Sequence, residues 1–176
     1  MKPATAALLA AFALAAAPAF ASAPPQPVKP VPTALYSGRW YEIARTQNKM
    51  QADCQASTND FSGLASGSFS VTQTCHKGAP NGPAQVMKVS GQVLPNCANA
   101  KMKLGVLGGL ISQEYWIIDR ADNGAWAIMD RSDGRYFWLL SRQPTLSATD
   151  KAAAIARLKS LGFDLSRIAF PQQTAG

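Results

Sequence analysis

Turn-forming residues punctuate this chain from residue 39 to residue 142, dividing it into short runs of strand-forming side chains at the spacing of an all-β barrel or sandwich. Eight runs stand out: 39–46, 55–62, 68–76, 85–94, 101–107, 114–120, 125–131 and 135–142. Alternation is clearest in the last, where Tyr136, Trp138 and Leu140 fall on one face and Phe137 and Leu139 on the other. Both faces are apolar, so both need cover, which points to a sheet closed on itself with something packed outside. The next segment supplies the outer cover. Ser147 is placed to cap a helix over 148–161 that carries Ala152, Ile155, Leu158 and Leu161 at helical spacing and stops at Gly162. Its charged residues Lys151, Arg157 and Lys159 fall away from that stripe, as expected of a docked helix rather than one lying on a membrane. Residues 167–170 add an edge strand before Pro171. The expected fold is therefore all-β: an eight-stranded antiparallel up-and-down barrel with one C-terminal α-helix outside.

The N-terminus reads as an export signal, with Lys2 ahead of an apolar run over 6–17 and a small-residue exit. Two cleavage sites fit the small-x-small rule, and the one after Ala21 is favoured because the other leaves Pro24 directly after the cut. Residues 1–21 are then the signal. Residues 22–34, with prolines at 24, 25, 27, 30 and 32, form an extended, mobile tether; 35–172 form a single domain, and 173–176 a disordered tail. No later segment approaches the roughly 20 apolar residues of a spanning helix. The first cysteine is Cys54, far from the cut, so the expected product is periplasmic or secreted and carries no lipid.

The net charge of +7 is spread rather than clustered, and the aromatic residues alternate with apolar ones instead of basic ones, which argues against a nucleic-acid groove. Solubility or weak attraction to anionic headgroups accounts for the charge. In an oxidising compartment two of the three cysteines are expected to pair, and none has the close spacing of a metal or redox motif. Cys54 and Cys75 flank the 63–67 turn at similar distances, so a hairpin there brings them together. Cys97 is left as a free thiol, an intermolecular bridge or a nucleophile. The lone His76 and the lack of paired carboxylates offer no catalytic constellation, and no cofactor or metal is expected.

Three motifs carry a family resemblance. Gly38-Arg39-Trp40, within Leu35-Tyr36-Ser37-Gly38-Arg39-Trp40-Tyr41-Glu42-Ile43-Ala44-Arg45, resembles the G-x-W opening of lipocalins. Tyr136-Phe137-Trp138-Leu139-Leu140-Ser141-Arg142 is similar to the family's closing signature, an aromatic strand ending in Arg. Tyr115-Trp116-Ile117-Ile118-Asp119 and Trp126-Ala127-Ile128-Met129 resemble the middle signature, with Arg120-Ala121-Asp122 in place of its T-D-Y turn. The pattern extends to the helix start and to Gly162-Phe163-Asp164, and it is nearest that of bacterial lipocalins. Physically, Gly38 permits a tight turn into the first strand, Trp40 plugs one end, and Arg142 can lie over the indole while donating to nearby carbonyls. These are structural roles.

Alternation and the resemblance together point Phe61, Phe69, Val71, Met102, Leu104, Val106, Tyr115, Ile117, Met129, Tyr136 and Trp138 into the barrel as a ligand-binding set. The competing reading is that they fill a solid core. Ala44, Asn59 and Ala127, expected on the same faces, would leave volume unfilled. The resemblance implies a carrier or store for a hydrophobic small molecule, a fatty acid or lysophospholipid above all, in envelope lipid handling. It implies no enzyme, though an isomerase using Cys97 and a protein-binding module using loops 78–83 and 108–113 are the rival readings. Glu42 also falls on the inward face, where it is expected to be protonated or bonded to a tyrosine, as a structural anchor or a ligand contact. The apolar stretch 106–111 is either a lid or a surface for transient membrane contact. The expected state is monomer or weak dimer.

Overall fold

The computed structural model describes residues 25–174, so the export segment and its cleavage sites lie outside the described residues. Its strands are β1 (Gly38–Thr46), β2 (Cys54–Ala65), β3 (Ser68–Lys77), β4 (Ala84–Val93), β5 (Lys101–Val106), β6 (Ile111–Arg120), β7 (Trp126–Arg131), β8 (Phe137–Ser141) and a short β9 (Ile168–Ala169), with α1 over Ala148–Ser160. All pairings are antiparallel and follow the order β2-β3-β4-β5-β6-β7-β8-β1, and the β1–β2 pairing closes the ring. The expected eight-stranded barrel with one outer helix is thus the observed fold.

The ring has two short seams. β1 and β2 pair only from Gly38 to Tyr41. Above that point the C-terminal segment fills the gap: β9 pairs with Arg45 and Thr46 of β1, and Gln172 accepts from the Ala56 amide of β2 at 2.6 Å. β4 and β5 pair only from Ser90 to Val93 on the β4 side. Among the described residues no strand pairing continues this second seam above that point.

Two apolar clusters lie on opposite sides of the wall. The inner one packs Tyr36, Trp40, Phe61, Phe69, Met102 and Ile117 into the end where β1 begins. The outer one packs Ile118, Trp126, Ile128 and Leu139 beneath Ala154 and Leu158 of α1. Burying a side chain of this size contributes roughly 1.5–3 kcal/mol relative to leaving it exposed. Ser147 caps α1 by accepting from the Asp150 amide at 3.0 Å, as its sequence predicts.

Several expectations need correction. Ala152 is exposed, and Ala154 takes its place in the buried stripe. Arg157 does not face away: its Nε donates to the buried Asp119 at 2.5 Å, tying the helix to β6. The described part of the Pro-rich segment, residues 25–32, is docked rather than mobile, because the Val28 and Val31 amides donate to Ile118 and Ala98, and Lys29 pairs with Asp122 at 2.9 Å. Val31 is buried by that contact. In the tail, Gln173 is held, its Nε2 donating to the Glu42 carbonyl at 2.8 Å. Cys54 and Cys75 form the expected disulfide across the β2–β3 hairpin.

Candidate functional site

The end of the barrel where β1 starts is solid. Gly38 adopts φ +73°, a region that favours glycine, and so turns the chain into β1. Two residues on, Trp40 enters the interior and donates from Nε1 to the Leu35 carbonyl at 2.9 Å. The Arg142 guanidinium lies 3.9 Å over the indole and donates to the carbonyls of Ser37, Arg39 and Ala34 at 2.8–3.1 Å. Above this seal Phe61 and Phe69 stack at 5.6 Å, Tyr36 closes on Phe69 at 5.1 Å, and Met102 and Ile117 fill the remainder. Only about 10 Å³ is left among them. A side chain on Gly91 would collide with the Phe69 ring, so that glycine lets the ring lie against β4.

The other half is hollow. A cavity of about 1040 Å³ opens at the far end, just above the 300–1000 Å³ typical of small-molecule sites. Of the inward set read from the sequence, Val71, Leu104, Val106, Tyr115, Met129, Tyr136 and Trp138 line this cavity. Phe61, Phe69, Met102 and Ile117 do not: they point inward but sit in the packed half beneath it. Alternation identifies the inner face of a strand and says nothing of height along the barrel. Of the residues expected to leave space, Asn59 lines the cavity, Ala127 lies in the packed half, and Ala44 faces outward under the helix.

Ala44 is displaced by a bulge. The β1–β8 register slips between Glu42 and Ala44, so the inward parity passes from Trp40 and Glu42 to Arg45. Arg45, which sequence reasoning missed, is thereby buried in the cavity wall and donates to Glu42 Oε2 at 3.2 Å and to the carbonyls of Gln51 and Cys54. Glu42 also accepts from the side-chain amides of Gln51, Asn59 and Gln73 at 2.9–3.3 Å. Its partners are therefore an arginine and three amides rather than a tyrosine. Each of them donates, which compensates the buried carboxylate. Burial pushes the Arg45 guanidinium below its ordinary value, and the Glu42 charge opposes that. Gln51 in turn accepts from Trp138 Nε1 at 3.1 Å, so one network joins the β1–β2 loop to the cavity wall.

The upper wall is aromatic. Tyr115 and Tyr136 flank Trp138 at 5.8 and 6.5 Å, and Arg131 lies 4.6 Å over Tyr136 while paired with Asp133. Burial raises the Tyr115 hydroxyl above its usual value. Both arginines of the cavity are thus matched by a carboxylate. Groups with other chemistry lie elsewhere. His76 Nδ1 sits 2.9 Å from the Gly82 carbonyl in the β3–β4 turn, and Cys97 donates to the Leu94 carbonyl in the β4–β5 loop at the sealed end. Among the described residues no cluster of three potential metal ligands occurs.

Comparison with known proteins agrees with this geometry. Residues 31–173 match the family described as lipocalin-like domain. The outer membrane lipoprotein Blc of Vibrio cholerae is 26% identical over 155 residues, covering 85% of this chain and 88% of its own length. Its namesake from Escherichia coli K12 is 28% identical over 138 residues, or 78% of this chain and 77% of its own. Among solved structures, insecticyanin from the tobacco hornworm Manduca sexta superposes with a TM-score of 0.67 at 17% identity, over 85% of this chain and 88% of its own. Lobster apocrustacyanin A1 gives 0.64 at 17%, over 90% and 93% respectively.

Proposed function

The chain belongs to the lipocalin-like family, and from that membership we propose that it carries or stores a hydrophobic small molecule in the open half of its barrel without acting on it chemically. The observation that carries this reading is the cavity of about 1040 Å³ between an aromatic wall and a polar network whose charges are already matched. Both cavity arginines are committed to carboxylates, so the interior favours an uncharged chain. Lys49 at the mouth is available to an acidic headgroup. A fatty acid or lysophospholipid entering tail first meets both conditions. Burying about ten methylenes at roughly 0.8 kcal/mol each gains some 8 kcal/mol before ordering costs, which sets micromolar binding as the upper limit.

We place the protein outside the cytoplasm, in envelope lipid handling. The disulfide supports an oxidising compartment, and the Blc relatives are named as outer membrane lipoproteins. Cys54, the first cysteine of this sequence, is bonded to Cys75 within the barrel, so it is not a site of acylation. The rival isomerase reading places its nucleophile at Cys97, in a loop of the sealed end away from the cavity.

Native mass spectrometry of protein purified without detergent from its own envelope tests the proposal. An adduct with the mass of one acyl lipid, lost on delipidation, is expected. Protein that emerges empty and takes up no lipid when refilled contradicts it.

A further inference from the structure

β4 is the least covered strand of the barrel. From Ala84 to Lys88 every residue is exposed, and Val86 and Met87 retain 56% and 43% of their surface. The reason is the second seam: β4 pairs with β3 along its whole length but with β5 only from Ser90 onward. The β5–β6 hairpin turns back at Val106 and Ile111, leaving β4 without a strand partner on that side. At the matching seam between β1 and β2, β9 and Gln172 supply the missing bonds. Met87, Val89, Val106 and Ile111, which border this unpaired stretch, also line the cavity, so the notch lies directly against it.

The notch is rimmed with apolar side chains. Across from Met87, the β5–β6 turn presents Leu107, Leu110 and Ile111 at 70%, 88% and 63% exposure; Met50 of the β1–β2 loop, which also lines the cavity, is 83% exposed. Apolar groups gathered at one place on a protein surface mark a contact site. Charge indicates which kind. Among the described residues the ion pairs occupy Lys29, Arg39, Arg45, Arg131, Arg135 and Arg157. Lys88 on β4 and Lys77 on the adjoining β3 are among the lysines that have no acidic partner among the described residues.

We propose that this rim, Met87, Leu107, Leu110 and Ile111 flanked by Lys77 and Lys88, docks on the surface of an anionic phospholipid bilayer, so that an acyl chain passes sideways through the β4–β5 notch into the cavity. The inference rests on the carrier reading for its cargo but not for the docking itself. Shallow insertion of four apolar side chains combined with attraction of two lysines to anionic headgroups suits reversible contact. The seam gives the chain a path from the bilayer without exposure to water.

Flotation of the full-length mature protein with vesicles of phosphatidylglycerol and phosphatidylcholine, compared with pure phosphatidylcholine, tests the docking. Wild type is expected to float with the anionic vesicles and to lose the interaction as salt rises. The Leu107→Asp/Leu110→Asp and Lys77→Glu/Lys88→Glu variants are each expected to bind roughly tenfold or more weakly. Neither pair lines the cavity, so the affinity of both variants for monomeric fatty acid in vesicle-free solution is expected to match wild type, while transfer from vesicles slows in parallel with the lost docking. Wild type that floats with neither vesicle, or variants that float undiminished, overturns the docking. So does a dimer joined through the free β4 edge with no vesicle binding. Vesicle binding combined with no affinity for fatty acid in solution supports the docking and overturns the carrier reading instead.

Discussion

Arg45 donates to the carboxylate of Glu42 at 3.2 Å, although three steps along a regular strand would set the two on opposite faces of the sheet. The β1 bulge makes the pair possible, and both side chains are almost wholly buried.

Replacing Glu42 by Gln leaves a guanidinium buried without its counter-charge, and breaking a buried pair in this way costs about 3–5 kcal/mol. Urea unfolding of Glu42→Gln is expected to show a loss of that order. Glu42→Gln/Arg45→Met, which removes both charges, is expected to recover most of it. A Glu42→Gln variant that keeps full stability but no longer binds ligand would instead make Glu42 a ligand contact.

Arg142 makes three carbonyl bonds and a stacking contact from one planar group, a combination that lysine cannot reproduce. Arg142→Lys is therefore expected to lose about 1.5–3 kcal/mol, a range typical of hydrogen bonds to a charged group. The unfolding midpoint checks this. Ligand affinity measured well below that midpoint should be unchanged, because the seal lies at the opposite end from the cavity.

The fold itself was largely readable. Turn spacing marked all eight barrel strands, and the symmetry of the 63–67 turn paired Cys54 with Cys75, because hairpin register is a local consequence of chain length on either side of a turn. Height along the barrel was not readable: Phe61 and Leu104 share an inward orientation, yet one is packed and the other lines the cavity. The partnership of Glu42 with Arg45 was hidden for a different reason. A bulge shifts parity by one, and nothing in Glu42-Ile43-Ala44-Arg45 announces it. The docking of Val28 and Val31 depends on the carbonyls of Ile118 in β6 and Ala98 in the β4–β5 loop, distant partners that composition does not encode.

Asp130 makes a pH dependence. It is fully buried on the outer face of β7, neither oxygen has a hydrogen-bond partner, and burial pushes its carboxyl up to about 7, with the nearby Arg131 amide opposing the shift without closing a bond. Because its folded value lies above the unfolded one, the folded state binds the proton more tightly. Its cost is absent at low pH, grows as pH rises from about 4 to about 7, and is complete above. Asp130→Asn is expected to be more stable than wild type at pH 8, by on the order of 4 kcal/mol, and to lose that advantage near pH 4. Denaturant midpoints at the two pH values provide the check.

The central claim is that the hollow upper half of the barrel is where an apolar ligand resides. Its most direct test is calorimetric titration of delipidated protein with monomeric oleate, beside a Val89→Trp/Leu104→Trp variant whose circular dichroism matches wild type and whose added indoles occupy the cavity. One micromolar site with a negative heat-capacity change in wild type, absent from the filled variant, is the predicted result. Equal binding by both proteins, or none by wild type, would contradict it.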